Sequence, residues 1–208
     1  MYQLFYAPHS AAMGVRVLLE EIGVPYTLIE STIDMGQPRP AEQLALNPNG
    51  WVPVLVWDGG AMYEGAAISV FLCDRHAESA LAPAAEDPGR ARFLQTLVYF
   101  ASSVQNAFQL TYYPERFVDT GADEASAVRR GCRRLRETWT VVDDQIGDGP
   151  WVLGERFSAA DIYLYMLTTW FSEAKGHPSL GDFPNVRRVA TAVGDRPAVR
   201  AVYDDTAA

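Results

Sequence analysis

The chain opens on a short β-rich run, "YQLFY" (2–6), which stops at Ala7-Pro8 and gives way to "MGVRVLLEEIG". In that second run Val15, Leu18, Leu19 and Ile22 recur at helical spacing, and Gly23 supplies a C-cap. "PYTLIEST" alternates apolar and polar positions as a half-buried strand does. "PAEQLAL" reads as a short helix ended by the turn signal "NPNG". "VPVLVWDGGAMYEG" has the form of a hairpin around Asp58-Gly59-Gly60. "AAISVFLCDRH" then closes the unit as a helix with Ile68, Phe71 and Leu72 inward. The predicted order is β-α-β-α-β-β-α, an α/β domain over residues 1–77.

Small residues and prolines at 78–88 break that pattern and predict a linker, and residues 89–208 read as an all-helical domain. Its first helix carries Phe93, Leu97, Phe100, Val104 and Phe108 in register and ends near Pro114; a second is ended by Gly147. "GERFSAADIYLYMLTTWF" holds a capping box, with Ser158 as cap and Asp161 reaching back to it, and Phe157 placed to pack on Ile162. Leu164, Leu167 and Phe171 continue the apolar face of that helix. "FPNVRRVATAVGDRPAVRAVYDD" predicts one or two last helices, broken at Asp195-Arg196-Pro197.

Composition narrows the function classes. With 208 residues, 49% of them hydrophobic, the chain can bury a sizeable core and disorder is not expected. No run of about eighteen apolar residues is present, so no membrane span is expected. The N-terminus has no basic segment followed by an apolar stretch and a cleavage site, which points to the cytoplasm. A net charge of −9 argues against nucleic acid as a partner. The local exception, "VRRGCRRLR" (128–136), is expected to be a solvated, ion-paired helix. Cys73 and Cys132 form no redox pair, and the scattered His9, His76 and His177 form no ligand cluster; neither a metal nor a disulfide is expected.

Three stretches, in order and with the linker correctly placed, carry a resemblance to a known family. "NPNGWVPVL" (47–55) resembles the N-P-x-G-x-V-P signature of the cytosolic glutathione transferases. "YEGAAISVFLCD" (63–74) resembles their acidic helix start, and "GERFSAADIYL" (154–164) the capping-box segment of their helical domain. The opening "PHSAAMGVRVLLEEIGVPY" is similar to the first helix of many bacterial members, so the likeness covers essentially the whole chain.

The resemblance implies a thioredoxin-like glutathione-binding domain, an all-helical second domain and a homodimer. It implies a cis bond before Pro53, with the main chain of Val52 pairing with the cysteinyl part of glutathione as an added strand. Glu64 would take the ligand's ammonium. Gly65 departs from the commoner serine, although some bacterial members also carry E-G, and leaves main-chain N–H groups and a helix start for the α-carboxylate. Trp51 stands where many relatives hold a lysine or glutamine, so the glycyl carboxylate would need another partner, with Arg39 and Gln43 as candidates.

Members of this family raise the thiolate fraction of glutathione with a hydrogen-bond donor and a helix N-terminus. The match to "P-H-S-x-x-x-x-V" helices puts a serine-type donor on Ser10, whereas tyrosine-type members would place theirs near Tyr6; His9, or no side chain at all, are the remaining options. The cysteine of the cysteine-type class would fall on Ala11 and its helical histidine on Gln105, so that chemistry is not expected. A hydrophobic electrophile would be received between the domains by His9, Met13, Phe108, Tyr112, Tyr113 and Arg116. Conjugation is the first reading. The alternatives are glutathione-dependent isomerisation, dehalogenation, ether cleavage or disulfide reduction, and a non-catalytic interaction or regulatory protein.

Overall fold

Residues 1–34 and 36–205 are described by the computed structural model, Ala122 and Asp205 through their backbone alone. The chain divides into two compact units: residues 1–90 together with the segment from Gly194 onward, and residues 91–193.

The first unit is built on four strands, β1 (Tyr2–Tyr6), β2 (Tyr26–Glu30), β3 (Val54–Trp57) and β4 (Gly60–Tyr63), in the order β2-β1-β3-β4. β1 and β2 are parallel, as expected for strands joined through the helix α1 (Ala12–Ile22). β3 runs antiparallel to β1, and the two-residue turn Asp58-Gly59 returns the chain into β4. Helix α2 (Ala41–Leu46) precedes β3, and α3 (Gly65–Arg75) follows β4. Leu4, Phe5, Val54 and Leu55 from the sheet are fully buried with Leu18 and Leu19 of α1 and Ile68 and Leu72 of α3. The predicted element order of this unit matches the structure. Gly23 ends α1 at φ 77°, its N–H donating to the Leu19 and Glu20 carbonyls.

The second unit starts with α4 (Arg90–Tyr99), which passes through a π-helical turn (Phe100–Val104) into α5 (Gln105–Tyr112). The sequence pattern predicts one regular helix there, because a single wide turn hardly disturbs the apolar register. Helices α6 (Glu124–Ile146), α7 (Ala159–Thr168) and α8 (Pro184–Gly194) follow. Trp139 is fully buried and meets Phe108, Phe171 and Phe183, with ring centroids 6.4, 5.3 and 6.4 Å away. The arginine run lies on α6, where Arg134 pairs with Glu137 at 3.2 Å and Arg136 with Asp182 at 3.0 Å.

The capping box of α7 is present, with Asp161 accepting the Ser158 N–H at 2.8 Å. Asp161 also accepts from the Val152 N–H at 2.8 Å and the Ser158 hydroxyl at 3.0 Å. Burial outweighs these donors and pushes the Asp161 carboxyl up to about 6.

The last helix, α9 (Pro197–Asp205), packs on α1 and so clusters with the first unit. Val199 and Val202 are buried, and Arg196 forks onto Glu21 of α1, donating from Nε to Oε1 at 2.6 Å and from Nη2 to Oε2 at 2.7 Å. Among the described residues no helix is long and apolar enough to cross a membrane.

Candidate active site

The sheet register brings three separate stretches of the first unit to one end. Phe5 of β1 pairs with Val54 of β3, and Val54 pairs with Tyr63 of β4. One residue further along each strand stand Tyr6, Pro53 and Glu64. The turn into α1 continues from Tyr6, and α3 begins directly after Glu64, so two helix N-termini start at this end. Two non-glycine residues here hold positive φ, His9 at 60° and Glu64 at 77°. Such backbone is costly for side-chain-bearing residues and clusters at functional sites.

The Val52-Pro53 bond is cis. The loop before it is held by its own polar groups. Gly50, at φ 69°, has its carbonyl fixed by Arg39 Nε at 3.0 Å and by Gln43 Nε2 at 2.9 Å. A Cβ at Gly50 would come within 3.0 Å of Arg39 Cγ and 3.1 Å of Leu44 Cδ2, so this turn needs glycine on both counts. Gln43 is fully buried and also accepts the Ser31 hydroxyl at 2.5 Å; Asn47 donates to the Trp51 carbonyl at 3.0 Å and accepts the Asn49 N–H at 3.1 Å. Arg39 donates further to the Asp34 and Gln37 carbonyls, at 2.7 and 2.9 Å. Arg39 and Gln43 therefore brace this loop, while the Trp51 side chain is 45% exposed on it.

Glu64 is exposed, and its carboxylate takes no hydrogen bond or ion pair from any described residue. Its carbonyl accepts the Ile68 N–H at 2.9 Å, so the residue is anchored by its main chain while its side chain stays open. Gly65 behind it is buried, its carbonyl taken by the Ser69 hydroxyl at 2.8 Å.

The turn between β1 and α1 is closed by Ser10, whose side chain is 6% exposed. Its hydroxyl donates to the Ala7 carbonyl at 2.7 Å and accepts the Ala12 N–H at 3.2 Å. Tyr6 is half-buried, with the Arg16 guanidinium 5.8 Å from its ring centroid, and His9 is exposed.

The residues expected to receive a second substrate fall into two groups. Met13 and Phe108 are each 1% exposed and belong to the cores of their units; their apolar helical spacing marked core, not a pocket wall. Tyr112, Tyr113 and Arg116 are half-buried in the second unit. Tyr112 donates its hydroxyl to the Trp170 carbonyl at 2.7 Å, and Arg116 lies over the Tyr113 ring at 4.1 Å.

Sequence reasoning missed His177. It is buried against Phe108, Tyr112 and Phe171. Its Nδ1 accepts the Ser172 N–H at 3.1 Å, so the ring is neutral and Nε2–H donates to the Thr111 hydroxyl at 2.8 Å. That hydroxyl passes its own proton to the Phe108 carbonyl at 2.8 Å. Burial, then the nearby Lys175 charge, lowers the His177 pKa. A lone histidine in a loop carries no local sequence signal for this role.

Two profiles of one family match the chain: "Glutathione S-transferase, N-terminal domain" over residues 10–75 and "Glutathione S-transferase, C-terminal domain" over residues 125–205. Glutathione S-transferase GstA of Escherichia coli O157:H7 is 27% identical over 202 residues, which cover 95% of each chain. A sphingomonad glutathione S-transferase solved in complex with glutathione matches with a TM-score of 0.85 at 26% identity, covering 99% of this chain and 98% of that one. A glutathione transferase from Methylococcus capsulatus str. bath matches with a TM-score of 0.84 at 26% identity, over 100% of this chain and 99% of that one. Two profiles in the right order, spanning most of the sequence, on a four-stranded mixed sheet followed by a helical unit, leave one conclusion: the chain belongs to the glutathione S-transferase family.

Proposed function

We propose that this family member is a glutathione-dependent transferase that binds glutathione at the sheet end formed by Val52-Pro53, Glu64 and the turn before α1. The bound thiol loses its proton to solvent. The thiolate electron pair then forms a bond to a hydrophobic electrophile, and a leaving group departs with the electrons of the bond that breaks. The observation that carries this reading is the open Glu64 carboxylate, held at φ 77° beside the start of α3 and level with Pro53 in the register. A carboxylate there complements the ammonium of the γ-glutamyl group. The Gly65 and Ala66 N–H groups, at the positive end of α3, complement the adjacent carboxylate.

Val52 offers main-chain groups just beyond the β3 ladder, where a ligand backbone can add as a strand. Arg39 acts through Gly50 by bracing the loop that carries Trp51 and Val52, and Trp51 borders the glycyl end of the ligand. Transfer is favoured over the isomerase, dehalogenase, ether-cleaving, disulfide-reducing and non-catalytic readings by the relatives named above. The protein works as a cytoplasmic homodimer, which sedimentation equilibrium tests as a mass twice the 23.0 kDa of the chain.

The direct test is retention on immobilised glutathione followed by conjugation to a generic aromatic halide. Retention with turnover is the expected result. No retention, together with no thermal shift in millimolar glutathione, overturns the proposal.

A further inference from the structure

Helix α2 buries an amide where an apolar side chain would be the plain choice. Leu44 is exposed and Leu46 half-buried, yet among its described residues only Gln43 is buried. An amide in such a place costs free energy unless it is hydrogen-bonded. Its partners fix its orientation. The Gly50 carbonyl can only accept, so Gln43 Nε2 donates to it at 2.9 Å, and Oε1 accepts the Ser31 hydroxyl at 2.5 Å. One turn on, the buried Asn47 donates from Nδ2 to the Trp51 carbonyl at 3.0 Å. Gln43 and Asn47 thus grip two consecutive carbonyls, those of the residues that lead into Val52-Pro53.

The Ser31 bond carries this grip to the other side of the sheet end. Ser31 directly follows β2, and its N–H donates at 2.7 Å to the carbonyl of Tyr6, the last residue of β1. Tyr6 leads into the turn before α1. Three hydrogen bonds in series, Tyr6 to Ser31 to Gln43 to Gly50, therefore tie that turn to the loop that carries Val52. Arg39 holds the same Gly50 carbonyl from the side of Asp34 and Gln37, whereas Gln43 is the contact that reaches Ser31. A buried polar network of this kind rigidifies the segments it joins.

We propose that Gln43 is a positioning residue for glutathione binding: its amide joins Ser31, and through it the end of β1, to the Gly50 carbonyl, and so fixes the Val52 main chain relative to the turn before α1. This inference rests on the glutathione site proposed above and names the residue that holds its two sides in register. Gln43 touches no reacting atom. It acts through the loop, on a pairing with the ligand that is made by main-chain groups and is therefore sensitive to where the backbone stands rather than to which side chains it carries.

The test measures kcat and KM in the full chain, with glutathione and the aromatic halide varied in turn, well below the melting temperature. Gln43→Met keeps the length of the side chain and removes both bonds, while Arg39 still holds the Gly50 carbonyl. It is expected to raise KM for glutathione about three- to tenfold, the size of one lost hydrogen bond, with kcat and the KM for the halide moving less. Ser31→Ala cuts the same series at the end far from Gly50 and is expected to raise KM for glutathione in the same direction. It also decides the question if Gln43→Met does not fold. The double variant is expected to match Gln43→Met alone, because the two residues act in one series. Val199→Ala, in the buried face of α9, lowers stability without touching the series and is expected to keep the wild-type KM. A wild-type KM in either folded variant, effects that multiply as independent changes, or an equal rise in Val199→Ala overturns the assignment and leaves the glutathione site standing. If the wild type binds no glutathione, the site falls and this assignment falls with it.

Discussion

Glu64 shows how a single residue can combine local cost with use. Positive φ penalises any side chain beyond glycine, yet the acid that sits there is exposed and unclaimed by described neighbours. Glu64→Gln keeps the shape and removes the charge. KM for glutathione is expected to rise about tenfold with kcat much less affected, because the contact is made to a part of the ligand that does not react. His177 is the opposite case, a titratable group working as structure. Its folded pKa lies below its ordinary value of 6.5, so the unfolded chain binds more protons in the window below that value. Its contribution is fully present above pH 6.5 and is lost as the pH falls through the folded value. Denaturant unfolding of wild type and His177→Asn at matched pH isolates this effect, since the raised Asp161 pKa is common to both. The stability advantage of the wild type is expected to shrink below pH 6.5; an advantage flat with pH would show that protonation leaves the Ser172 bond intact.

Helices and strands carried most of what could be read in advance. Apolar spacing, Gly23, the Asp58-Gly59 turn and the Ser158–Asp161 box each act within a few residues, so they are visible in the string of letters. What pattern could not reveal is where two elements come unusually close. Gly131 on α6 is such a place: a Cβ there would lie 2.5 Å from Thr111 Cγ2, 2.9 Å from Leu110 Cβ and 3.2 Å from the Ala107 carbonyl oxygen of α5. Thr111 cannot rotate away without leaving His177 and the Phe108 carbonyl. Alanine at 131 improves helix propensity by up to about 1 kcal/mol, but overpacking costs about 1–3 kcal/mol. Gly131→Ala is therefore expected to lower the melting temperature, and an unchanged or raised one would mean that α5 and α6 separate freely.

For the chain as a whole, the C-terminal helix completes the sheet unit. The Glu21 side chain is 10% exposed and the Arg196 side chain 31%, and the two meet in a bidentate pair. Arg196→Ala leaves a mostly buried carboxylate without its fork, at a cost of about 2 kcal/mol after allowance for solvent reaching the arginine. Chemical denaturation is expected to show this as a lower midpoint, and Glu21→Gln in the same background should restore part of it.

Much of this protein was present in its amino-acid order: the strand and helix sequence, the caps, the N-P-N-G turn, and the Glu64-Gly65 helix start. These are short-range matters of backbone preference and apolar period. Folding alone assigned the long-range partners. It gave α9 to α1, buried Met13 and Phe108 as core, set Arg39 and Gln43 to bracing Gly50, and turned the Ser10 proton inward to Ala7. A hydroxyl or guanidinium can donate in several directions, and the choice depends on which acceptor the packed chain brings within about 3 Å. That is why the residue types at this site were legible from the sequence and the destinations of their protons were not.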